Sequence, residues 1–371
     1  MKGVCPLTTQ KLSNYSYGPA CFQEMPEVLA TYGFQSVVLI GGEKALAAVE
    51  NEILDVLQKA GISVTGSFVY GKAATMANVE ALAQLEEVQV ADLIIGVGGG
   101  QALDTTKMVA KKLGKSLVTI PTICSTCAAG TGLAVIYTEE HSFDFYEVTG
   151  PPIHTFINTR IIAEAPNQYF WAGIGDGISK GPEVTRAMQE AENRGFEPPH
   201  IAVLGRAIAQ SSLQSLYQHA HQALADVRNN RVSQAVEEVV LAIIISTAYA
   251  SNMVVQPNFD LTTCHAHAFY NGTTVIRASR KHLHGAIVAF GVMVLHAYFE
   301  EQEELARVAA FNKELNLPLT LADMSLSEED IPTIVQYTKS TAEYRNTPFD
   351  TEQLAVAIQK ANQFGQALKE S

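Results

Sequence analysis

Between residues 36 and 120 the chain alternates short, continuously apolar runs with longer stretches that carry an apolar side chain every three or four positions. Residues 36–40 (SVVLI) form a β-branched run closed by Gly41 and Gly42, and a helical pattern follows over 43–60. Residues 63–70 read as the next strand and 79–85 as a helix. Residues 92–97 (DLIIGV) are again apolar after Asp92 and end at Gly98, Gly99 and Gly100, ahead of a helix over 103–113 and a strand over 116–120. Strands alternating with helices predict a parallel sheet with helices on both faces. Strands apolar at every position, rather than at alternate ones, predict burial on both sides. Residues 134–138, 143–148 and 153–158 are short, β-rich and closely spaced, and predict an antiparallel extension. From residue 161 onward the spacing turns helical, clearly over 210–225 and 233–254 and amphipathically over 302–316 and 351–370. The expected organisation is an α/β domain over residues 1–160 and an all-α domain over 161–371, with the boundary within residues 158–162.

Composition narrows the function. A chain of 371 residues that is 47% hydrophobic has length for two domains and apolar matter for a sizeable core. Its net charge of −13, with no Lys/Arg-rich run, opposes nucleic acid and anionic membrane alike. The longest apolar stretches, 239–250 and 286–296, fall short of the roughly 18 to 20 residues of a membrane span. Residues 1–17 hold no basic segment followed by an apolar run, so no signal peptide is expected. Five scattered cysteines fit a reducing compartment. Together these predict a cytoplasmic protein whose partner is a small molecule.

Three places carry candidate chemistry. Gly98-Gly99-Gly100 lies between a strand and a helix, where free N–H groups and the helix dipole suit a phosphate and glycine admits close approach. It departs from the G-x-G-x-x-G fingerprint, since Gln101, Ala102 and Leu103 follow, and a tight turn without ligand is the other reading. A second loop, Pro121-Thr122 through Ser125, Thr126 and Thr131, is expected on the same sheet edge, where open α/β sheets bind ligands. Its Cys124 and Cys127 form a C-x-x-C with no second such pair, which excludes a four-cysteine zinc site and leaves them as small wall residues. Downstream, Asp176 between two glycines, and His265, His267, His282 and His284 within 20 residues, could gather a divalent metal such as zinc or iron. Structural histidines on helices remain the alternative.

Taken in order, GVGGGQALDTTK (96–107), PTICSTCAAGTGLAVIYT (121–138), AGIGDGISK (172–180), AHAFYNG (266–272) and HGAIVAFG (284–291) resemble the iron-containing alcohol dehydrogenase superfamily, and most of all its glycerol dehydrogenase branch. The resemblance implies a dehydroquinate-synthase-like fold, a Rossmann-like domain followed by a helical one with the active site between them. It implies Asp176, His267 and His284 as metal ligands and catalytic residues. It implies Gly100, Gln101, Asp104, Thr122, Thr131, Leu133 and Tyr137 along the cofactor, beside Gly42, Gly98 and Gly99, with Ser125 near both cofactor and substrate. It also implies a homo-oligomer. Two departures adjust it. Where glycerol dehydrogenases read S-T-D-A, this loop reads Ser125-Thr126-Cys127-Ala128, similar to the hydroxycarboxylate dehydrogenase branch that reduces 2-oxo acids; a thiol at Cys127 neither accepts from a polyol as a carboxylate does nor repels an anion. After the first strand, Gly41-Gly42-Glu43-Lys44 replaces the acid expected of an NAD enzyme, which favours NADPH over NADH. The expected reaction is metal-dependent reduction of 2-oxo acids to 2-hydroxy acids, with NAD-linked oxidation of glycerol or another polyol as the alternative. The motifs carry few basic residues (Lys107, Lys180, Arg280, Lys281), short of what a lyase acting on a phosphate substrate needs.

Overall fold

The computed structural model describes residues 9–140, 143–256 and 258–370. Cys5, and the first eight of the residues read for a signal peptide, lie outside them. Eight strands precede residue 158 among the described residues: β1 (Asn14–Tyr17), β2 (Ser36–Gly41), β3 (Ser63–Val69), β4 (Leu93–Gly98), β5 (Ser116–Pro121), β6 (Leu133–Tyr137), β7 (Phe143–Val148) and β8 (His154–Ile157). Six of them form one sheet in the order β1-β8-β5-β4-β2-β3, every pair parallel.

Helices α1 (Met25–Tyr32), α2 (Glu43–Lys59), α3 (Met76–Ala83), α4 (Glu86–Val90) and α5 (Gly100–Leu113) cover the sheet. Its strands are apolar at every position because each is packed twice. Val37 and Leu39 of β2 meet Leu46, Val49 and Ile53 of α2, while Val38 and Ile40 face the side of α3, α5 and β6. The antiparallel extension is the hairpin β6–β7 alone. Strand β8, expected as part of it, runs parallel in the main sheet between β1 and β5. The reason is burial: all four residues of β8 are enclosed, whereas β6 alternates and β7 is mostly open. The half-exposed β1 was not legible as a strand, and the helix expected over 79–85 is α3, which starts at Met76 and ends at Ala83, with the short α4 following.

Among the described residues after β8, regular structure is helical apart from a two-residue ladder, Val255–Gln256 with Phe259–Asp260. In order come α6 (Thr159–Glu164), α7 (Asn167–Gly177), α8 (Lys180–Asn193), α9 (His200–Val227), α10 (Gln234–Leu241), α11 (Thr247–Val254), α12 (His265–Thr273) and α13 (His284–Tyr298). The long helices Gln302–Leu315 and Thr351–Glu370 follow. A π-helical turn, Ala242–Ser246, joins α10 to α11. The resulting 21-residue helix, Gln234–Val254, is long and apolar enough to cross a membrane, but 67% of its most apolar window is buried inside the protein. Every residue of α13 after His284 is buried, which makes it the central post of the helical region.

One edge of the sheet carries a pH sensitivity. His154 on β8 is 6% exposed, lies against Phe156 and shares a hydrogen bond with Ser16 on β1 (3.0 Å). Burial pulls its pKa down to about 4. The folded chain therefore resists protonation that the unfolded chain accepts near pH 6.5, and stability falls as pH drops from there toward 4, by about 1.4 kcal/mol per pH unit. His154→Gln is expected to flatten this acid limb; urea unfolding at pH 7 and pH 5 measures it, and parallel losses in both proteins would refute it.

Candidate active site

The strand order reverses between β2 and β4: from β2 the chain goes first to β3 on one side, then to β4, β5 and β8 on the other. Ligands of open α/β sheets bind at the C-terminal strand ends beside such a point. Both glycine turns lie there. Gly42 donates from its N–H to Val97 O (3.2 Å), and Gly98, at φ +139°, sits in a conformation that favours glycine. Helix α5 begins at Gly100 rather than near 103, so the triple glycine is itself the helix N-terminus. Its first intrahelical bond is Leu103 N–H to Gly99 O, and no side chain caps it. Among the described residues, the N–H groups of Gly100, Gln101 and Ala102 find no acceptor. A Cβ on Gly99 would meet Ile123 at 2.6 Å, which keeps the second loop pressed on this turn. Thr122 N–H donates to Gly98 O (3.3 Å), and Thr126 and Ala128 lie over Gly100. A bare helix N-terminus, glycine-floored and open, fits the pyrophosphate of a dinucleotide.

The remaining residues expected along the cofactor divide. Gln101 is exposed at the helix start. Leu133 and Tyr137 lie on the same face of β6, partly open, with Ala134 and Ile136 turned into the core. Asp104 and Thr131 are engaged elsewhere. The fully buried Lys107 donates to Asp104 Oδ1 (3.0 Å), Thr131 Oγ1 (3.2 Å) and Leu133 O (2.6 Å), and Asp104 Oδ2 accepts from Val135 N–H (3.2 Å). Burial raises the Asp104 carboxyl against the pull of Lys107. This knot ties α5 to β6 and holds the hairpin over the sheet edge.

Three helices bring the expected metal ligands together. Asp176 is on α7, His267 on α12 and His284 opens α13, and one ligand atom from each lies within 4.8 Å of the others. Asp176 Oδ1 is 3.1 Å from His284 Nε2 and 3.5 Å from His267 Nε2. Glycines permit the approach. A Cβ on Gly285 would lie 1.9 Å from Ala172 O, on Gly175 2.4 Å from Gly285 O, and on Gly291 2.5 Å from Ala266 O. The backbones of α7, α13 and α12 thus touch where each carries its ligand. Gly173, one turn before Asp176, does the same toward the sheet: its Cβ would lie 2.1 Å from Cys124 O. The loop holding Ser125 and Cys127 therefore rests on the helix that bears Asp176.

Glu183, absent from the sequence reading, completes the centre. It is fully buried; Oε1 accepts from the N–H groups of Cys264 (2.9 Å) and His267 (3.0 Å), and Oε2 lies 2.6 Å from His267 Nδ1. A carboxylate on Nδ1 fixes the tautomer and aims Nε2 at the ion. Its sequence signal is spacing: Glu183 follows Asp176 by seven residues, the interval of two helical turns. Burial disfavours charge on all three groups, yet Glu183 and Asp176 push His267 up to about 10, while His284 and His267 hold Asp176 well below the usual carboxylate range. One carboxylate oxygen and two convergent imidazole nitrogens form a donor set that fits a divalent cation such as zinc or iron, and three protein ligands leave room for substrate. Tyr270 sets its ring edge-on to His284 (4.1 Å). The other clustered histidines turn away. His265 is enclosed by Tyr298, Phe299 and Phe349, and His282 pairs with Ser325 (3.0 Å).

An open helix N-terminus at the sheet edge and a three-residue donor cluster joined to it through one loop are the parts that a metal-dependent, nicotinamide-linked dehydrogenase needs. Comparison with known proteins agrees. The family model for iron-containing alcohol dehydrogenase matches residues 13–153. Hydroxycarboxylate dehydrogenase A of Escherichia coli is 29% identical over 359 residues, spanning 95% of this chain and 96% of that protein. Glycerol dehydrogenase of Pseudomonas putida is 30% identical over 371 residues, spanning 96% and 97%. The crystal structure of glycerol dehydrogenase from Schizosaccharomyces pombe superposes with a TM-score of 0.85 at 25% identity, covering 98% of this chain and 92% of that one. The chain belongs to the iron-containing alcohol dehydrogenase family: an NAD(H)-linked oxidoreductase that uses a divalent metal and acts on a small molecule.

Proposed function

We propose that this protein reduces 2-oxo acids to 2-hydroxy acids with NADPH, at a zinc or iron ion held by Asp176, His267 and His284. The observation that carries the substrate class is Cys127, a neutral side chain in the loop that rests on the Asp176 helix, where a polyol-binding carboxylate would turn an anion away. When bound, the metal supplies Lewis acidity and the nicotinamide a hydride; overall the carbonyl carbon gains the hydride, its oxygen gains a proton, and NADP⁺ leaves. The chain's own residues bind and orient. The open N–H groups of α5 take the pyrophosphate over Gly98, Gly99 and Gly100. Thr122, Ser125, Leu133 and Tyr137 line the path toward the metal ligands. Glu183 keeps the Nδ1 proton of His267, so that its Nε2 stays a ligand.

The NADPH preference rests on the turn after β2. Gly41 and Gly42 offer no carboxylate to a ribose, and the exposed Lys44 lies in the first turn of α2. The neighbouring turn after β3, joined to it by Tyr70 N–H to Gly41 O (2.9 Å), carries the exposed Lys72. Neither lysine has an ion-pair partner among the described residues. Two free ammonium groups suit a 2′-phosphate.

The glycerol dehydrogenase relatives favour a second reading, NAD-linked polyol oxidation. A panel of 2-oxo acids, aldehydes, ketones and glycerol, each with both cofactors, decides between them. The expected result is a kcat/KM for 2-oxobutanoate with NADPH at least tenfold above that for glycerol with NAD, and the opposite order would reverse the proposal.

A further inference from the structure

Between Asp176, near the end of α7, and Glu183, in the first turn of α8, the chain carries a third charged residue. Ile178 and Ser179 keep right-handed helical dihedrals in the turn between α7 and α8, and Asp176, Lys180 and Glu183 follow one another at helical spacing across it. Lys180 lies between Asp176 and Glu183 in the chain, one helical turn from each. It is 6% exposed, and its ammonium makes one hydrogen bond, to Thr262 O at 3.3 Å. Beside that bond the hydroxyl of Thr262 is buried without any partner. A buried ammonium has three N–H groups to satisfy, and buried polar atoms are seldom left alone. Unmet donors at Lys180 and an unmet hydroxyl at Thr262 stand together, Lys180 one turn before Glu183 on α8 and Thr262 two residues before Cys264, whose N–H Glu183 holds, and they ask for an acceptor from outside the chain.

We propose that Lys180, with the Thr262 hydroxyl, anchors the carboxylate of the substrate and so determines the preference for 2-oxo acids over neutral carbonyl compounds. This rests on the 2-oxo acid reading of the site and is independent of the loop residue that suggested it. An ammonium donating to a carboxylate makes the strong, charge-assisted kind of hydrogen bond, and the second carboxylate oxygen accepts from Thr262. A carboxylate so held leaves the adjacent carbonyl toward Asp176, His267 and His284, since a 2-oxo acid carries the two groups on neighbouring carbons. Specificity of this sort is steep, because a neutral substrate leaves a buried charge unanswered.

The test compares wild type with Lys180→Met and Lys180→Arg on a matched pair, pyruvate and hydroxyacetone, in metal-loaded enzyme with saturating NADPH. The expected result is a fall of about 100-fold in the ratio of kcat/KM for pyruvate over hydroxyacetone in Lys180→Met, with at least tenfold recovered in Lys180→Arg. Calorimetric binding of oxamate is expected to weaken at least tenfold in Lys180→Met, while metal content stays at the wild-type level. If Lys180 serves only to balance Asp176 and Glu183, both substrates fall together and the ratio stays put, which overturns the inference and leaves the 2-oxo acid reading standing. A wild type that reduces hydroxyacetone and no 2-oxo acid overturns both.

Discussion

Replacing His267 with alanine is expected to empty the metal site and lower kcat/KM on the order of 10³-fold or more, because one imidazole of three ligands goes and the substrate loses its electrophile. Glu183 explains why the loss is larger than one ligand suggests. Its Oε2, 2.6 Å from His267 Nδ1 and fully buried, is left without a partner, although Oε1 keeps its two backbone donors. Stability should drop by about 1–3 kcal/mol on that account. His284→Ala separates the two effects, since the His284 side chain is 33% exposed and no buried carboxylate depends on its other nitrogen. Both variants should fail to recover activity when zinc or ferrous iron is returned after chelation, while the wild type recovers. Elemental analysis after dialysis and circular dichroism provide the readout. A His267→Ala protein that retained its metal and full turnover would mean that the ion sits elsewhere.

Much of the fold was legible because the strands of a parallel sheet announce themselves as unbroken apolar runs: 36–40, 92–97 and 116–120 lie inside β2, β4 and β5 or within a residue of them. Strand β8 was misplaced because four residues, HTFI, with two polar among them, do not reveal burial on both faces until the neighbouring strands are known. The start of α5 was set late for a related reason. Glycine scores poorly as a helix former, yet at an N-terminus its missing side chain is what lets loop and ligand approach. Spacing along the chain also held part of the metal site. Asp176, Lys180 and Glu183 repeat at helical intervals, so Glu183 could have been grouped with Asp176 from sequence. What spacing could not supply is the meeting of α7, α12 and α13, which depends on contacts more than 80 residues apart, as between Glu183 and His267. Nor could it tell that Asp104 and Thr131 would be taken up by Lys107.

Those interhelical contacts lead to the second large effect, expected from Gly285→Ala. A methyl group there would stand 1.9 Å from Ala172 O and 2.9 Å from the backbone nitrogen of Asp176. Real side chains keep about 3 Å or more from such atoms, so α7 and α13 have to part by roughly an ångström. Neither neighbour can yield alone, because both obstacles are helix backbone, and α13 is buried on every side after its first residue. The cost in stability is expected near 1–3 kcal/mol, the usual range for overpacking. The cost to the site should be larger in proportion. Gly285 adjoins His284, and the displaced backbone is that of Asp176 itself, so the 3.1 Å approach of these two ligands is what opens. A displacement of this size in a functional group typically costs about 100-fold. Gly285→Ala should therefore bind zinc about 100-fold more weakly than wild type in a competition assay, while its circular dichroism stays native at 20 °C. Equal zinc affinity in a measurably destabilised Gly285→Ala protein would show that the ligands hold their geometry without the close packing of these two helices.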